Sequence, residues 1–531
     1  MVTDSLTYGI AAGIAAVFRS PIGGVLFALE ESASHWSATV TIKAFICAMV
    51  AMMTVNMLFA DSGFGTTEIE NLFVFGQFKD IKEGQTNYRT FELFIFIIMG
   101  FTGGAIGAGF NGIMKRIHLK HDTPSYKKLQ YIRVIIFTTL MAFVSFFLPL
   151  MWQQCHNLPS EEDKQAWTSE EKDLVDDLVQ FQCKDGQYNQ LASLMLTPAE
   201  TAIKQLFHFR EYEDSSYATF GFGSLILFMI PYFFLSTATA GLSVPRGVFI
   251  PTLLAGAAYG RMWGHVLNTL FPGSVADAGT YALMGAASIN GGVTRITISM
   301  TIIMLETSGN ITYLLPLMVT FIAARYSGNA INSGLYDMLI YINELPFIVN
   351  SLRSLGLLNY SPVSELMATP VKVFHVHEKV KDIYKVLKET KHNGFPVVNH
   401  AGQLQGIILR QNLCTLLELS VFSKPAAQSP GISPGGKSKR KYPKFTTIDD
   451  VTIDPDDMDL WLDLTEYTDT GPYVVHTSTS MERTHHLFRT MGLRHLIVVN
   501  NSHEPVGIVT RKDIMYSKLH KHYLENVSIK I

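Results

Sequence analysis

Charge is scarce in this chain. Only 16% of its 531 residues are Asp, Glu, Lys or Arg, against about 25% in soluble domains. With 48% hydrophobic residues and a mean hydropathy of +0.20, solubility throughout is excluded. Cysteine is equally sparse. Four in the whole chain exclude a disulfide scaffold and a Cys-rich zinc module. No long basic tract with interleaved aromatics occurs and the net charge is −3, which disfavours a nucleic-acid-binding role. Enzyme signatures are missing too: there is no P-loop, no nucleophile elbow and no HExxH, and Cys155-His156 stands isolated. No metal site is expected. No signal peptide is read, because Met1-Val-Thr-Asp runs at once into a Gly/Ala helix without a basic n-region.

What is present is apolar and long. Ala44–Ala60, Leu93–Met114 and Val134–Met151 carry no charge. Between Tyr281 and Ala324 only Arg295 and Glu306 are charged. A helix needs about 20 apolar residues to cross the hydrocarbon. The first 340 residues therefore read as a polytopic helical membrane domain, and the polarity after about 350 reads as soluble. Two apolar stretches are interrupted: Tyr8–Glu31 by Arg19-Ser20-Pro21, and Ser243–Arg261 by Pro and Gly with a further Pro251. Broken helices at membrane depth persist where they are buried in protein or line a wet cavity. Transporters hold ions at such half-helices, although Gly/Ala surfaces also serve plain close packing.

The loops give an orientation. Lys115, Arg116, Lys120, Lys127, Lys128 and Arg133 place one loop in the cytoplasm. The acidic loop at 152–216, with Glu161, Glu162, Asp163, Glu170, Glu171, Asp176 and Asp177, faces the other side. It holds Cys155 and Cys183, which admit either a disulfide in an oxidising compartment or two free thiols.

Two internal repeats are visible. Val25-Leu-Phe-Ala-Leu-Glu-Glu-Ser32 resembles Thr301-Ile-Ile-Met-Leu-Glu-Thr-Ser308. The second copy follows Gly247-Val-Phe-Ile-Pro251 and its helix, whereas the first is preceded by only a few residues. In the tail, Asn393-Gly-Phe-Pro-Val-Val-Asn399 with Gly406–Asn412 is echoed by Leu493–Asn500 with Gly507–Asp513. Each unit reads as a helix (near Val380–Thr390 and Met481–Met491), a buried strand, a turn, a second strand and a further helix. Ser423–Lys444, rich in Pro, Gly, Ser and Lys, reads as a mobile linker, and Lys437–Lys441 as a solvated charge run.

Gly247-Val-Phe-Ile-Pro251, Ser20-Pro-Ile-Gly-Gly-Val-Leu-Phe-Ala-Leu-Glu-Glu31 and Gly334-Leu-Tyr-Asp337 resemble motifs of the CLC family of chloride channels and chloride/proton exchangers. The tail resembles the pair of CBS domains that eukaryotic members carry. Cys183–Asn189, Leu206-Phe-His208 and Met491–Leu496 look most like the endosomal and lysosomal exchanger branch. The resemblance implies a mostly α-helical membrane domain with an inverted repeat, followed by an α/β pair: 1–345 the membrane domain with an incomplete first half, 346–360 a connector, 361–422 the first CBS domain, 423–466 a linker and 467–525 the second. It implies a homodimer in the lipid bilayer with chloride and protons as substrates, no required cofactor, an accessory β-subunit, and a multi-pass location in an endosomal, lysosomal or other intracellular membrane with cytosolic CBS domains.

Site residues follow residue by residue. The segment Gly247, Val248, Phe249, Ile250 and Pro251 would cradle chloride, with the backbone N–H groups of Val248 and Phe249 as donors and Ile250 alongside, joined by the Tyr336 hydroxyl. A half-helix N-terminus offers unpaired donors and positive dipole without a full charge. Ordinary packing is the other reading of Phe249 and Tyr336. Glu31 stands where exchangers keep a proton-transfer carboxylate and channels have Val; a solvated interfacial acid is its other reading. Glu30, Glu306 and Arg295 read as structural. At the tail, the resemblance implies ATP, ADP or AMP between the CBS units, with His392 and Asn393 at the base and Thr510 and Asp513 at the ribose; alternatively the pair only stabilises the dimer. Two family motifs, GSGIP and GxEGP, would lie upstream of Met1 and the chain holds neither. It is therefore read as a fragment that does not transport alone and whose anion preference is not legible. Three functions stay in view: a chloride/proton antiporter regulated by its CBS domains, a voltage-gated chloride channel, and a non-transporting subunit or nucleotide sensor.

Overall fold

The computed structural model describes residues 2–33, 35–59, 88–119, 130–158, 174–209, 220–240, 242, 244, 246–272, 274–343, 345, 347–348, 361–422, 446–515 and 518–519. Lys120, Lys127, Lys128, Glu161, Glu162, Asp163, Glu170 and Glu171 of the two orienting loops lie outside these residues, as do Ser423–Lys444 and most of the expected connector. Contacts divide the chain into two units, Met1–Asn343 and Glu344–Ile531.

In the first unit the helices are α1 (Val2–Phe18), α2 (Pro21–Phe27), α3 (Ala38–Phe59), α4 (Glu92–Leu119), α5 (Gln130–Met151), α6 (Gln190–Leu196), α7 (Ala199–His208), α8 (Phe222–Ala240), α9 (Phe249–Leu270), α10 (Ala278–Thr294), α11 (Ile298–Ser308), α12 (Leu314–Ile331) and α13 (Leu335–Ile342). A five-residue π-helical turn, Ala28–Ser32, continues α2. Among the described residues five helical stretches are long and apolar enough to span a bilayer: Ala38–Leu58, Glu92–His118, Tyr131–Met151, Phe222–Ala240 and Ile311–Ile342. Large apolar side chains point outward from them, including Ile42, Phe94, Ile135, Phe143 and Ile322. That suits lipid, because hydrocarbon imposes no penalty on exposed apolar surface. The chain is a multi-pass membrane protein.

The repeat seen in the sequence is structural. One constant offset pairs Val2 with Ala278, Phe18 with Thr294, Arg19 with Arg295, Glu30 with Glu306 and Ala38 with Leu314. Both arginines end their helix with a left-handed backbone, at φ 51° and 66°. The repeats differ in what covers them. α10 is buried along its whole length and lies against α9. A Cβ at Gly285 would stand 2.3 Å from Gly260 Cα and 2.4 Å from the Gly256 carbonyl oxygen. At its mate Gly9 nothing lies within 4 Å of that position.

A short antiparallel pair, β1 (Cys155–Asn157) and β2 (Gln187–Asn189), leads into α6, with Cys155 opposite Asn189. Cys155 and Cys183 form a disulfide, and Cys47 and Cys414 are free thiols. Asn189 caps α6 by accepting from Leu191 N–H (3.0 Å) and Ala192 N–H (3.1 Å).

The second unit holds two sheets of matching topology. β3 (Phe374–His375) runs parallel to β5 (Gly394–Val398), which pairs antiparallel with β6 (Leu404–Leu409). β8 (Val474–His476), β9 (His495–Val499) and β10 (Pro505–Thr510) repeat this order. A small additional pair joins β4 (His377–Lys379) to β7 (Trp461–Asp463). The helices are α14 (Val380–Glu389), α15 (Arg410–Glu418) and α16 (Met481–Met491). The modules exchange segments. Residues expected to open the first module bond to the second: Val363 N–H donates to Thr479 O at 2.8 Å and Ala368 N–H to Ile508 O at 2.9 Å. Val363 and Leu366 sit in the core of Phe488 and Leu496. Conversely Ile448, Val451, Leu462 and Leu464, assigned from sequence to the linker, fill the core of Ile383 and Phe395. The described part of that linker is thus packed structure.

Gly285→Ala is expected to lower the thermal midpoint of the detergent-solubilised protein, reflecting a loss of roughly 1–3 kcal/mol from overpacking. Gly9→Ala is expected to leave it unchanged or slightly raised; equal losses at both positions would contradict the close crossing of α9 and α10.

Candidate functional site

The two broken segments of the sequence become two half-helix starts. Ser20 ends the turn before α2 and Pro21 occupies its first position, where the missing N–H costs nothing. Thr297 precedes α11 in the second repeat. Each start is capped by a carboxylate from the other helix. Glu306 on α11 accepts from the Ser20 hydroxyl and from Gly23 N–H (3.2 Å). Glu30, at the far end of α2, accepts from Thr297 N–H (2.9 Å), Thr297 Oγ1 (3.0 Å), Ser299 N–H (3.0 Å) and Ser299 Oγ (2.7 Å). Four donors saturate that carboxylate, so its role is structural, as is that of Glu306.

Glu31 is the next residue, yet it makes no hydrogen bond among the described residues. The π-helical turn explains this. Ala33 N–H reaches back to Ala28 O at 3.1 Å, which widens the turn by one residue. Glu30 can then face α11 while its neighbour points elsewhere. Such single-turn insertions recur at functional sites. The charges that act on Glu31 are Asp337, Glu30 and Arg325, and Glu31 in turn acts on the Tyr336 phenol.

The Gly247–Pro251 segment opens α9. Val248 caps it, and Phe249 is the first helical residue. The N–H groups of the capping residue and of the first turn have no intrahelical acceptor, and Pro251 has no N–H, which leaves Val248, Phe249 and Ile250 as the donors. Gly247 is exposed, with nothing within 4 Å of its Cβ position, so an ion can approach the backbone there. The Phe249 ring packs edge-on against Phe18 at 4.6 Å, and Phe27 packs edge-on against Tyr336 at 6.1 Å. Phe249, Ile250, Phe27 and Tyr336 all border one apolar cluster. The ends of α1 and α2 and the starts of α9 and α13 therefore gather around it.

A polar frame holds α13. Arg295 Nη2 donates to Asn332 Oδ1 (3.0 Å), Asn332 Nδ2 to Ala108 O (2.7 Å), and Asn111 Nδ2 to Val293 O (2.9 Å) and Ser333 O (3.3 Å). The guanidinium lies where Gly328 leaves room: a Cβ there would come within 0.9 Å of Arg295 Nη1. Sequence reasoning did not single out Arg325 or Asp337 as site residues. A signal existed, since Arg325 is the one charge between Glu306 and Asp337 in an otherwise apolar run.

In the second unit, Thr510 and Asp513 meet: Thr510 N–H (2.8 Å) and Oγ1 (2.7 Å) both donate to Asp513 Oδ2. Lys518 Nζ occupies Oδ1 at 2.5 Å. His392 lies edge-on to Phe395, its ring centroid 6.3 Å away, and Asn393 O accepts from Arg410 N–H (2.9 Å). The two pairs are linked through the module crossing. Gly394, next to Asn393, faces His495, whose Cε1 would be 3.1 Å from a Cβ there. His495 is the register partner of Thr510. Burial, with Arg494 nearby, holds the His495 imidazole below its ordinary pKa and so favours its neutral form. No group of His, Cys, Asp and Glu suited to a metal ion occurs among the described residues.

Glu30→Ala is expected to destabilise the solubilised protein by roughly 2–4 kcal/mol, because it strips the acceptors from the start of α11. Glu31→Ala is expected to cost less than about 1 kcal/mol. Thermal midpoints of the pair test this, and a larger loss at Glu31 would refute the division of roles.

Comparison with known proteins agrees with this geometry. Residues 3–329 match the family described as voltage gated chloride channel, and residues 363–418 and 464–519 each match the CBS domain. H(+)/Cl(-) exchange transporter 7 of Homo sapiens is 36% identical over 99% of this chain and 64% of its own length. Chloride channel protein D of Dictyostelium discoideum is 30% identical over 98% of this chain and 57% of its own. The crystal structure of a eukaryotic CLC transporter shares the fold at TM-score 0.56 and 20% identity, covering 97% of this chain and 71% of that one. The chain thus spans about two thirds of the length of the exchanger it matches. It belongs to the voltage-gated chloride channel (CLC) family and carries that family's membrane fold with a C-terminal pair of CBS domains.

Proposed function

We propose that this protein is a chloride/proton antiporter of an intracellular membrane, working as a homodimer in the bilayer and regulated by cytosolic CBS domains. The carrying observation is the π-helical turn that frees Glu31 while Glu30 is saturated. A carboxylate without hydrogen bonds among the described residues suits a group that takes up and releases a proton. Chloride is bound by the N–H groups of Val248 and Phe249, with Ile250 alongside, and by the Tyr336 hydroxyl. The positive end of the α9 dipole, equivalent to about half a charge, attracts the anion without trapping it. Glu31 exchanges protons with the cytoplasm. The protein has no enzymatic role in this reading, which includes an endosomal or lysosomal location and an accessory β-subunit.

The CBS pair binds an adenine nucleotide, with His392 and Asn393 at the base and Thr510 and Asp513 at the ribose. Lys518 must then release Asp513 Oδ1 or turn towards the phosphates, since a ribose hydroxyl needs that acceptor.

For the protein reconstituted in liposomes, Glu31→Gln is expected to retain chloride flux and lose coupled proton flux. Proton transport that survives the substitution would overturn the role of Glu31, and a wild-type reversal potential indifferent to pH would make the protein a channel. Asp513→Ala is expected to weaken ATP binding by roughly tenfold or more in calorimetry, the value of one good hydrogen-bond pair; unchanged affinity would leave the CBS pair a stabilising module.

A further inference from the structure

The two modules of the second unit repeat at one constant offset, which sets apart a pair of charges that the fold does not require. Gly394 corresponds to His495, Leu409 to Thr510 and Arg410 to Arg511. The two arginines do the same work. Arg410 Nη1 donates to Thr390 O at 2.8 Å, and Arg511 Nε to Leu493 O at 3.0 Å. Each ties the end of its strand to the chain that enters the module's central strand. Two residues further on the modules part. Asp513 stands where the first module has Asn412, and Lys518 where it has Leu417, a core residue 1% exposed. Lys518 Nζ meets Asp513 Oδ1 at 2.5 Å. An ion pair thus occupies positions at which the other module folds with an amide and a buried leucine.

Both oxygens of Asp513, a residue only 6% exposed, are engaged. Oδ2 accepts from the N–H and the hydroxyl of Thr510, and Oδ1 accepts from Lys518. Leu519 is fully buried in the core of the second module and anchors the backbone beside the lysine. The Lys518 side chain itself is half-exposed, so its ammonium can turn away without unpacking that core.

We propose that Lys518 makes this site selective for phosphorylated nucleotides over the bare nucleoside. This rests on the nucleotide reading above, with the ribose on Asp513. A ribose hydroxyl reaches Oδ1 only by displacing the ammonium. The exchange leaves a buried carboxylate without its counter-ion, which is costly. A nucleoside offers nothing in return. A nucleotide carries phosphate on the same ribose, and phosphate accepts from the freed ammonium, a compact charge on a flexible stem. The lysine is a lock on Asp513 that phosphate releases.

Calorimetry on the detergent-solubilised full chain with adenosine, AMP and ATP tests this. Wild-type protein is expected to bind AMP and ATP at least roughly tenfold more tightly than adenosine. Lys518→Met keeps the stem and removes the competing charge. It is expected to bind adenosine roughly tenfold more tightly than wild type and ATP no more tightly, so that the preference is lost. Lys518→Arg is expected to keep the preference. A gain in adenosine affinity cannot arise from loss of fold, and Lys518→Gln removes the charge independently should the Met variant not be recovered. Weaker ATP binding with adenosine unchanged would make the lysine a plain phosphate ligand. Equal loss for both ligands would make it structural. Either result overturns the proposal, while ATP binding by the wild type leaves the nucleotide reading standing. Wild-type protein that binds none of the three would sink that reading and this inference with it.

Discussion

The reciprocal exchange of carboxylates between α2 and α11 is the interaction on which the membrane site depends. A half-helix start inside a membrane leaves several N–H groups without acceptors, and each costs several kcal/mol in hydrocarbon. Here Glu306 caps α2 and Glu30 caps α11. The two glutamates are repeat mates, so a single device, used twice, ties the halves together. Breaking one cap frees a helix start and also removes the constraint that orients the opposite helix.

That device also accounts for the placement of the neighbouring groups. With Glu30 held by Thr297 and Ser299, the chain needs an extra residue in its last turn, and the π-helical turn at Ala28–Ser32 supplies it. The freedom of Glu31 follows from that choice. On the other side, Arg295 reaches through the gap at Gly328 to Asn332, and this fixes the start of the helix that carries Tyr336. The end of α2 and the start of α13 are thus set by polar frames, while the Phe18, Phe249, Phe27 and Tyr336 rings pack beside them.

Much of this was legible in the sequence, for physical reasons. Long uncharged runs mark spans, because charge at membrane depth is costly. The Val25–Ser32 and Thr301–Ser308 likeness survives because both helices need an acid at the same place. The structural roles of Glu30, Glu306 and Arg295 were expected on those grounds. The π-helical turn was not legible. Its register is chosen by partners 267 residues away, and no local pattern carries that information. Arg325 escaped notice because its partners lie on other helices. In the tail, the strand pattern revealed two modules but gave 361–368 to the first module and 446–466 to the linker. The exchange of 361–368 and 446–466 between modules is set by tertiary packing alone.

That exchange has a consequence for how the cytosolic half responds to damage. Neither module owns a complete hydrophobic core: Val363 and Leu366 fill the second from outside it, and Leu462 and Leu464 fill the first. Loss of either module therefore strips core side chains from the other, which couples their stabilities. A nick or an insertion between the modules would be felt equally in both. A change in either module is transmitted to its neighbour through shared side chains and needs no hinge.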